Sequence, residues 1–169
     1  KLANLGQGAS GVRPETAALL EAMLAQGLTP VVPCQGSVGA SGDLCPLSHL
    51  ALPLIGHGSV RYKGRTMAAA KALQMAGLSP VQLGAKEGLA LNNGTASMGA
   101  MAVLALLDAE CLAKTADIAA ALSIEALHGV PFAFDPRTHA LRPHNGQGRV
   151  AGNIRRLIEG SEILEKFKS

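Results

Sequence analysis

The chain has 169 residues and a mass of 17.2 kDa, enough for one domain with a genuine core. Hydrophobic residues make up 48% but aromatic residues only 2%, so the core must be built from aliphatic helix faces with few strands. Fifteen basic and twelve acidic side chains leave a net charge of +3, too small and too scattered for a nucleic-acid footprint.

In chain order, Pro14 and Glu15 followed by Leu19, Leu20, Met23 and Leu24 predict a helix with proline in its first turn, ended by Gly27 and Pro30. Next comes "GSVGASGDL", Gly36 to Leu44, with three glycines, two serines and an aspartate in nine residues. Pro46 to Ile55, "PLSHLALPLI", is apolar on nearly every face and interrupted by Pro53, the pattern of a short buried helix. The glycine-rich stretch is therefore a loop between two helices.

"SVRYKGRTM" predicts a small hairpin turning at Lys63-Gly64. Helical composition resumes from Met67 to Met75 and stops at Gly77 and Pro80. "NNGT" then opens a long helix, with Asn92, Asn93 and Thr95 as capping candidates, running to about His128. Its polar residues leave Met98, Met101, Leu104, Leu112, Ile118 and Leu122 to bury most of the circumference, as in the central helix of a bundle.

The 21 residues "HGVPFAFDPRTHALRPHNGQG" read as an ordered surface loop. A last amphipathic helix carries Val150, Ile154, Leu157, Ile158 and Leu164 on one side. Arg149, Arg155, Arg156, Lys166 and Lys168 lie opposite, without interleaved aromatics, and read as a solvated face.

Cys34, Cys45 and Cys111 form no C-x-x-C pair, as expected of reduced thiols in a cytoplasmic protein. The longest apolar run, Ala100 to Leu107, falls short of the ~18 residues of a membrane span, so no membrane partner is expected. No histidine or acidic spacing points to a metal, and none is expected. The chain begins with Lys1 rather than Met, and an internal piece of a longer protein is the expectation.

Three chemistries can use the glycine loop. A phosphate loop needs glycines for backbone approach to an anion, but Gly36, Gly39 and Gly42 match neither nucleotide spacing, and Asp43 would repel phosphate. A serine nucleophile at Ser41 fails the G-x-S-x-G pattern because Asp43 holds the last place, although His49 and Asp43 complete a nominal triad. The third uses the backbone. In Ala40-Ser41-Gly42 the amide nitrogen of Gly42 can bend back onto the carbonyl carbon of Ala40, and only glycine leaves that nitrogen unobstructed. Loss of one water from the ring and another from Ser41 leaves an exocyclic methylidene, an electrophile no ordinary side chain supplies.

"GSVGASGDL" with "PLSHLALPLIG" resembles the histidine, phenylalanine and tyrosine ammonia-lyase family, and "QGASGVRPE", "KEGLALNNGT" and "THALRPHNGQ" resemble further family segments in the expected order. The resemblance covers essentially all of residues 1–169. It implies a mainly α fold, a helical-bundle segment of the ammonia-lyase (fumarase/aspartase-like) architecture with one small β-hairpin. It also implies a single segment of the catalytic core, with the base-bearing N-terminal loop and the C-terminal part absent.

By this resemblance Ala40, Ser41 and Gly42 become 4-methylideneimidazole-5-one (MIO), with no metal. Asp43 would help polarise or orient the cyclising backbone, an N-cap being its alternative, and Leu44 would face the substrate or the core. Asn93 would lie near the ring and the amino-acid end of the substrate, with Asn92 its competitor for the capping role. The implied reaction is elimination of ammonia from an aromatic L-amino acid to an arylacrylate, histidine to urocanate being the first expectation. Phenylalanine or tyrosine lyase, or an aminomutase, is the alternative, and a catalytically silent helical module is the rival from another class. The base and the carboxylate-binding arginine would lie outside this chain. Tyr62, the single tyrosine, sits in the hairpin and is not read as that base. The isolated segment is expected to be inactive, and a homotetramer is expected for the full-length protein. Lys1 and Ala3 depart from the Arg and Asn of the family pattern.

Overall fold

The computed structural model describes residues 1–166, so Lys168 of the basic face lies outside them. The chain divides into two compact units, Lys1–Ala102 and Val103–Ser169. Both are mainly helical.

In the first unit, α1 (Leu2–Gly6) precedes α2 (Pro14–Ala25). Pro14 opens α2 because its missing N–H would have no helical partner there. Thr16, Leu19, Leu20 and Met23 fall on one face and are buried. The helix ends as the N–H of Leu28 donates back to Met23 O at 2.9 Å. β1 (Thr29–Pro30), the loop, and α3 (Leu44–Ala51) with its 3-10 extension Leu52–Ile55 follow. Pro53 lies in the first turn of that extension, where the apolar run changes pitch.

β2 (Ser59–Tyr62) and β3 (Arg65–Ala68) form the predicted hairpin. Lys63 and Gly64 both have positive φ, 49° and 76°, the conformation a two-residue turn between twisted strands requires. Val60 and Tyr62 point into the core while Ser59 and Arg61 face out. Two details differ from the sequence reading. β1 adds a third strand, Thr29 opposite Arg61, too short to leave a periodic signal. Met67 and Ala68 pair with Val60 and Ser59, so α4 (Ala69–Met75) starts later than expected.

The core of this unit joins Leu19, Leu20 and Met23 to Leu54, Val60, Tyr62, Leu73 and Leu91. Each fully buried aliphatic side chain contributes about 2 kcal/mol. Leu91 belongs to α5 (Glu87–Asn92), which packs on α3. α5 is anchored by a buried carboxylate. Glu87 accepts from the Arg13 N–H (2.8 Å), the Arg13 guanidinium (2.9 and 3.1 Å), the Thr16 hydroxyl (2.9 Å) and the Gly84 N–H (2.6 Å).

The Arg13 guanidinium, then the Gly84 and Arg13 amides, hold the Glu87 carboxyl at about 2 against an ordinary 4.5, outweighing the opposing effect of burial. A depressed carboxyl stabilises the fold fully above its unfolded value and loses that contribution as pH falls through the folded one. Glu87→Gln is therefore expected to lower stability at neutral pH by about 2 kcal/mol. In urea titrations the gap to the wild type should close as the pH falls from 4.5 toward 2.

The helix expected to open at "NNGT" is present as α6, and a short helix that the sequence reading did not anticipate, α5, precedes it. α5 ends at Asn92, Asn93 is extended (φ −105°, ψ 153°), Gly94 has φ 117°, and α6 runs Ala96–Ala126. The expected burial of α6 is overturned. Met98, Met101, Leu104, Leu112, Ile118 and Leu122 are 49–69% exposed, because periodicity reports an apolar surface and not what covers it. By length and composition alone, the stretch Glu87–Ala126 is long and apolar enough to cross a membrane, which the short run Ala100–Leu107 understated.

In the second unit the predicted loop contains a 3-10 turn (Pro131–Phe134) and α7 (Pro136–Ala140). Asp135 caps α7 by accepting the Arg137 N–H at 2.8 Å. The single last helix expected from the sequence is divided into α8 (Asn145–Leu157) and α9 (Glu162–Lys166), with Gly160 between them. Ala121, Ile154, Ile158 and Leu164 form its core, while Val150 and Leu157 stay 43% and 46% exposed. Arg155 donates to Phe134 O and Arg156 to Asn153 Oδ1, so two arginines of the basic face serve the protein's own acceptors.

Candidate active site

The loop Gly36–Asp43 has no regular secondary structure and leads into α3. Ala40 and Ser41 are exposed, Val38 is 92% exposed, and Leu44 in the first turn of α3 is 39% exposed. Asp43 is buried at 5% exposure. It stands at the N-cap position, yet its side chain caps nothing. Oδ1 accepts the Ser37 hydroxyl at 2.5 Å, and Oδ2 is buried without a hydrogen-bond partner among the described residues. A buried carboxylate oxygen left unpaired costs stability, so the N-cap reading does not account for this residue.

Asn93 and Gly94 close the site from α5. The Asp43 N–H donates to Gly94 O at 3.4 Å, and Asn93 Oδ1 accepts the Gly94 N–H at 2.8 Å. Gly42 lies hard against them with φ 152°. A β-carbon there would fall 2.5 Å from Asn93 Oδ1, 2.8 Å from Gly94 N and 3.0 Å from Gly94 O. The residue whose nitrogen closes the predicted ring thus sits where no side chain fits.

The two asparagines now separate. Asn92 Nδ2 donates to Ser48 Oγ of α3 at 3.3 Å, tying the two helices together, while the Asn93 side chain meets Gly42. Lys1 Nζ donates to Asn93 O at 2.6 Å. That contact, 92 residues apart, and the Ser37–Asp43 bond were not anticipated. No local pattern signals the first. The second had a faint cue in a hydroxyl six residues before the aspartate.

The structure therefore brings Gly42, Asp43 and Asn93 together, with Ala40 and Ser41 in the same loop and Leu44 at its end. Among the described residues no hydrogen bond joins Ser41 to His49, so the triad reading has no geometric support. Tyr62 is 6% exposed in the core, under Lys63 Nζ at 5.1 Å. In the second unit an open cavity of about 1170 Å³, lined in part by Val130, Phe132, Arg149 and Leu164, contains none of the loop residues. Size alone does not make it the reactive site, which needs the chemistry gathered around Gly42.

The family model for aromatic amino acid lyases matches residues 1–169. A histidine ammonia-lyase of Symbiobacterium thermophilum is 57% identical over 162 residues, 96% of this chain and 32% of that protein. Phenylalanine aminomutase of Pantoea agglomerans superposes with a TM-score of 0.89 at 38% identity, over 96% of this chain and 31% of that one. Histidine ammonia-lyase of Trypanosoma cruzi superposes with a TM-score of 0.79 at 40% identity, over 86% of this chain and 29% of that one. The chain spans about a third of the length of the curated relatives it matches.

Proposed function

The chain belongs to the aromatic amino acid lyase family, and from that premise we propose that it is part of a histidine ammonia-lyase, eliminating ammonia from L-histidine to give urocanate. The observation that carries the reading is the packing of Gly42 against Asn93 and Gly94, where only hydrogen fits, within Ala40-Ser41-Gly42, a tripeptide whose backbone can close into the MIO ring. Identity of 52–57% to relatives named histidine ammonia-lyase supports the choice of substrate.

The residues present fit that group. Ring closure needs the Gly42 nitrogen to reach the Ala40 carbonyl carbon, and hydrogen at Gly42 keeps the approach clear. The Ala40 carbonyl oxygen leaves with the Gly42 and Ser41 amide protons as one water. The Ser41 hydroxyl and its Cα proton leave as the second. In this reading the unpaired Oδ2 of buried Asp43 is the acceptor that helps move the Gly42 amide proton, and Ser37 orients that carboxylate through Oδ1. Once formed, the MIO group supplies an electrophilic methylidene carbon that makes the substrate's amino group a better leaving group.

Around it, Asn93 supplies a fixed amide, and the amino-terminal end of α6, which begins at Ala96, supplies positive potential for charge developing at the site. Leu44 offers half-exposed apolar surface to the substrate. The base and the carboxylate-binding arginine come, in this reading, from parts of the full-length protein beyond these residues. It extends to a homotetramer in the cytoplasm, supported by the exposed apolar faces of α6 and three unpaired thiols.

The test is the intact mass of the full-length protein with a histidine assay. A mass lower than the sequence by two water molecules, urocanate release, and loss of that release after borohydride treatment are expected. Deamination by a protein of unmodified mass would overturn the reading. Formation of a β-amino acid without net ammonia release would move it to the aminomutases, and an unmodified, inactive protein would leave a silent helical module.

A further inference from the structure

Asn93 is held from behind as well as from the ring side. α5 ends at Asn92 and the backbone turns extended at Asn93, which takes the Asn93 carbonyl out of a helical ladder. Lys1 Nζ fills that place at 2.6 Å and lies 3.7 Å from where a β-carbon on Gly94 would project. The ammonium is half-buried, and its partial burial lowers its pKa. A charged donor to a carbonyl in such a place is stronger and more directional than one in water. At its other end the same helix is held through Glu87 by Arg13 and Thr16. The first sixteen residues thus grip α5 at both ends, and the grip at the carboxyl end falls on the peptide that presents Asn93 to Gly42.

We propose that Lys1 is a positioning residue for Asn93, fixing the Asn93–Gly94 peptide so that the Asn93 side chain keeps its place against the ring-forming Gly42. The assignment rests on the function proposed above. Lys1 touches neither substrate nor ring in this role. It acts through a carbonyl whose displacement would carry the Asn93 amide with it, and misplacements near 1 Å at a reacting centre cost up to about 10²-fold in rate.

The experiment is a double-mutant cycle in the full-length protein: Lys1→Met, Lys1→Arg, Asn93→Ala and the Lys1→Met/Asn93→Ala pair, each checked for helical circular dichroism and intact mass. Lys1→Met is expected to keep its helices and the two-water mass deficit while kcat/KM falls about tenfold. Lys1→Arg, which restores a cationic donor, should return to within about twofold of the wild type. In the Asn93→Ala background Lys1→Met should add less than about twofold, because residues acting through one another are not additive. If Lys1→Met does not fold, Lys1→Gln takes its place in the cycle.

Wild-type kcat/KM in the folded Lys1 variant, no rescue by arginine, or fully multiplicative losses would overturn the assignment alone. A wild-type protein lacking the mass deficit overturns it together with the proposed function.

Discussion

Ser41→Ala in the full-length protein is expected to fold like the wild type, to lose no more than one water from its mass, and to deaminate histidine slower by on the order of 10³-fold or more. The asymmetry follows from where Ser41 sits. Its side chain is exposed in an irregular loop, so removing the hydroxyl deletes no buried contact, and surface changes of this kind usually move stability by less than about 0.5 kcal/mol. The chemistry is another matter. The methylidene carbon is the β-carbon of residue 41, and it becomes a double bond only if an oxygen leaves it. Alanine permits the ring to close at the cost of one water but cannot lose the second. Circular dichroism, intact mass and urocanate absorbance read the three parts separately, and undiminished turnover would remove Ser41 from the mechanism.

Gly42→Ala should differ from it by damaging fold and ring together. At φ 152° an L side chain is strained, a cost of about 1–3 kcal/mol. The added carbon would also meet Gly94 N at 2.8 Å and Gly94 O at 3.0 Å. Those are backbone atoms, unable to swing aside as the end of a flexible side chain can, and overpacking of this sort costs typically about 1–3 kcal/mol. A loss of about 2–5 kcal/mol in urea unfolding is expected from the two effects. The relief available, a shift of the loop away from Asn93, would carry the Gly42 nitrogen off its line to Ala40. The protein should therefore show neither the mass deficit nor measurable urocanate. Wild-type stability with full ring formation would mean that the tight packing at Gly42 is not a feature of the working enzyme.

How much of this was readable beforehand depended on the range over which each feature is encoded. α2 and the hairpin are local: Pro14 marks a start, Lys63-Gly64 marks a turn, and alternation at Val60 and Tyr62 marks a face. The loop tripeptide was readable for a chemical reason, since the ring needs glycine and serine at fixed neighbouring positions. What escaped was non-local. β1 is two residues whose only evidence is a partner thirty residues away. α5 is six residues that pack on α3 and are anchored through Glu87, with no pattern of their own long enough to announce them. The contacts of Glu87 with Arg13 and of Lys1 with Asn93 join residues 74 and 92 apart, and no periodicity reports such pairs. α6 shows the complementary limit, because its apolar faces were correctly seen and their cover was wrongly assumed.

The grip of the first sixteen residues on α5 has a consequence for how the chain is made. Arg13 and Thr16 leave the ribosome 74 and 71 residues before Glu87 does, an interval of roughly 4–15 s at ordinary elongation rates of about 5–20 residues per second. Until then Leu19, Leu20 and Met23 wait for Leu91, and a nascent chain in that state is a natural client of chaperones. Slow codons placed between residues 25 and 87 would prolong the exposure, so translational pace, and not only the finished contacts, bears on how much of this protein reaches its native form.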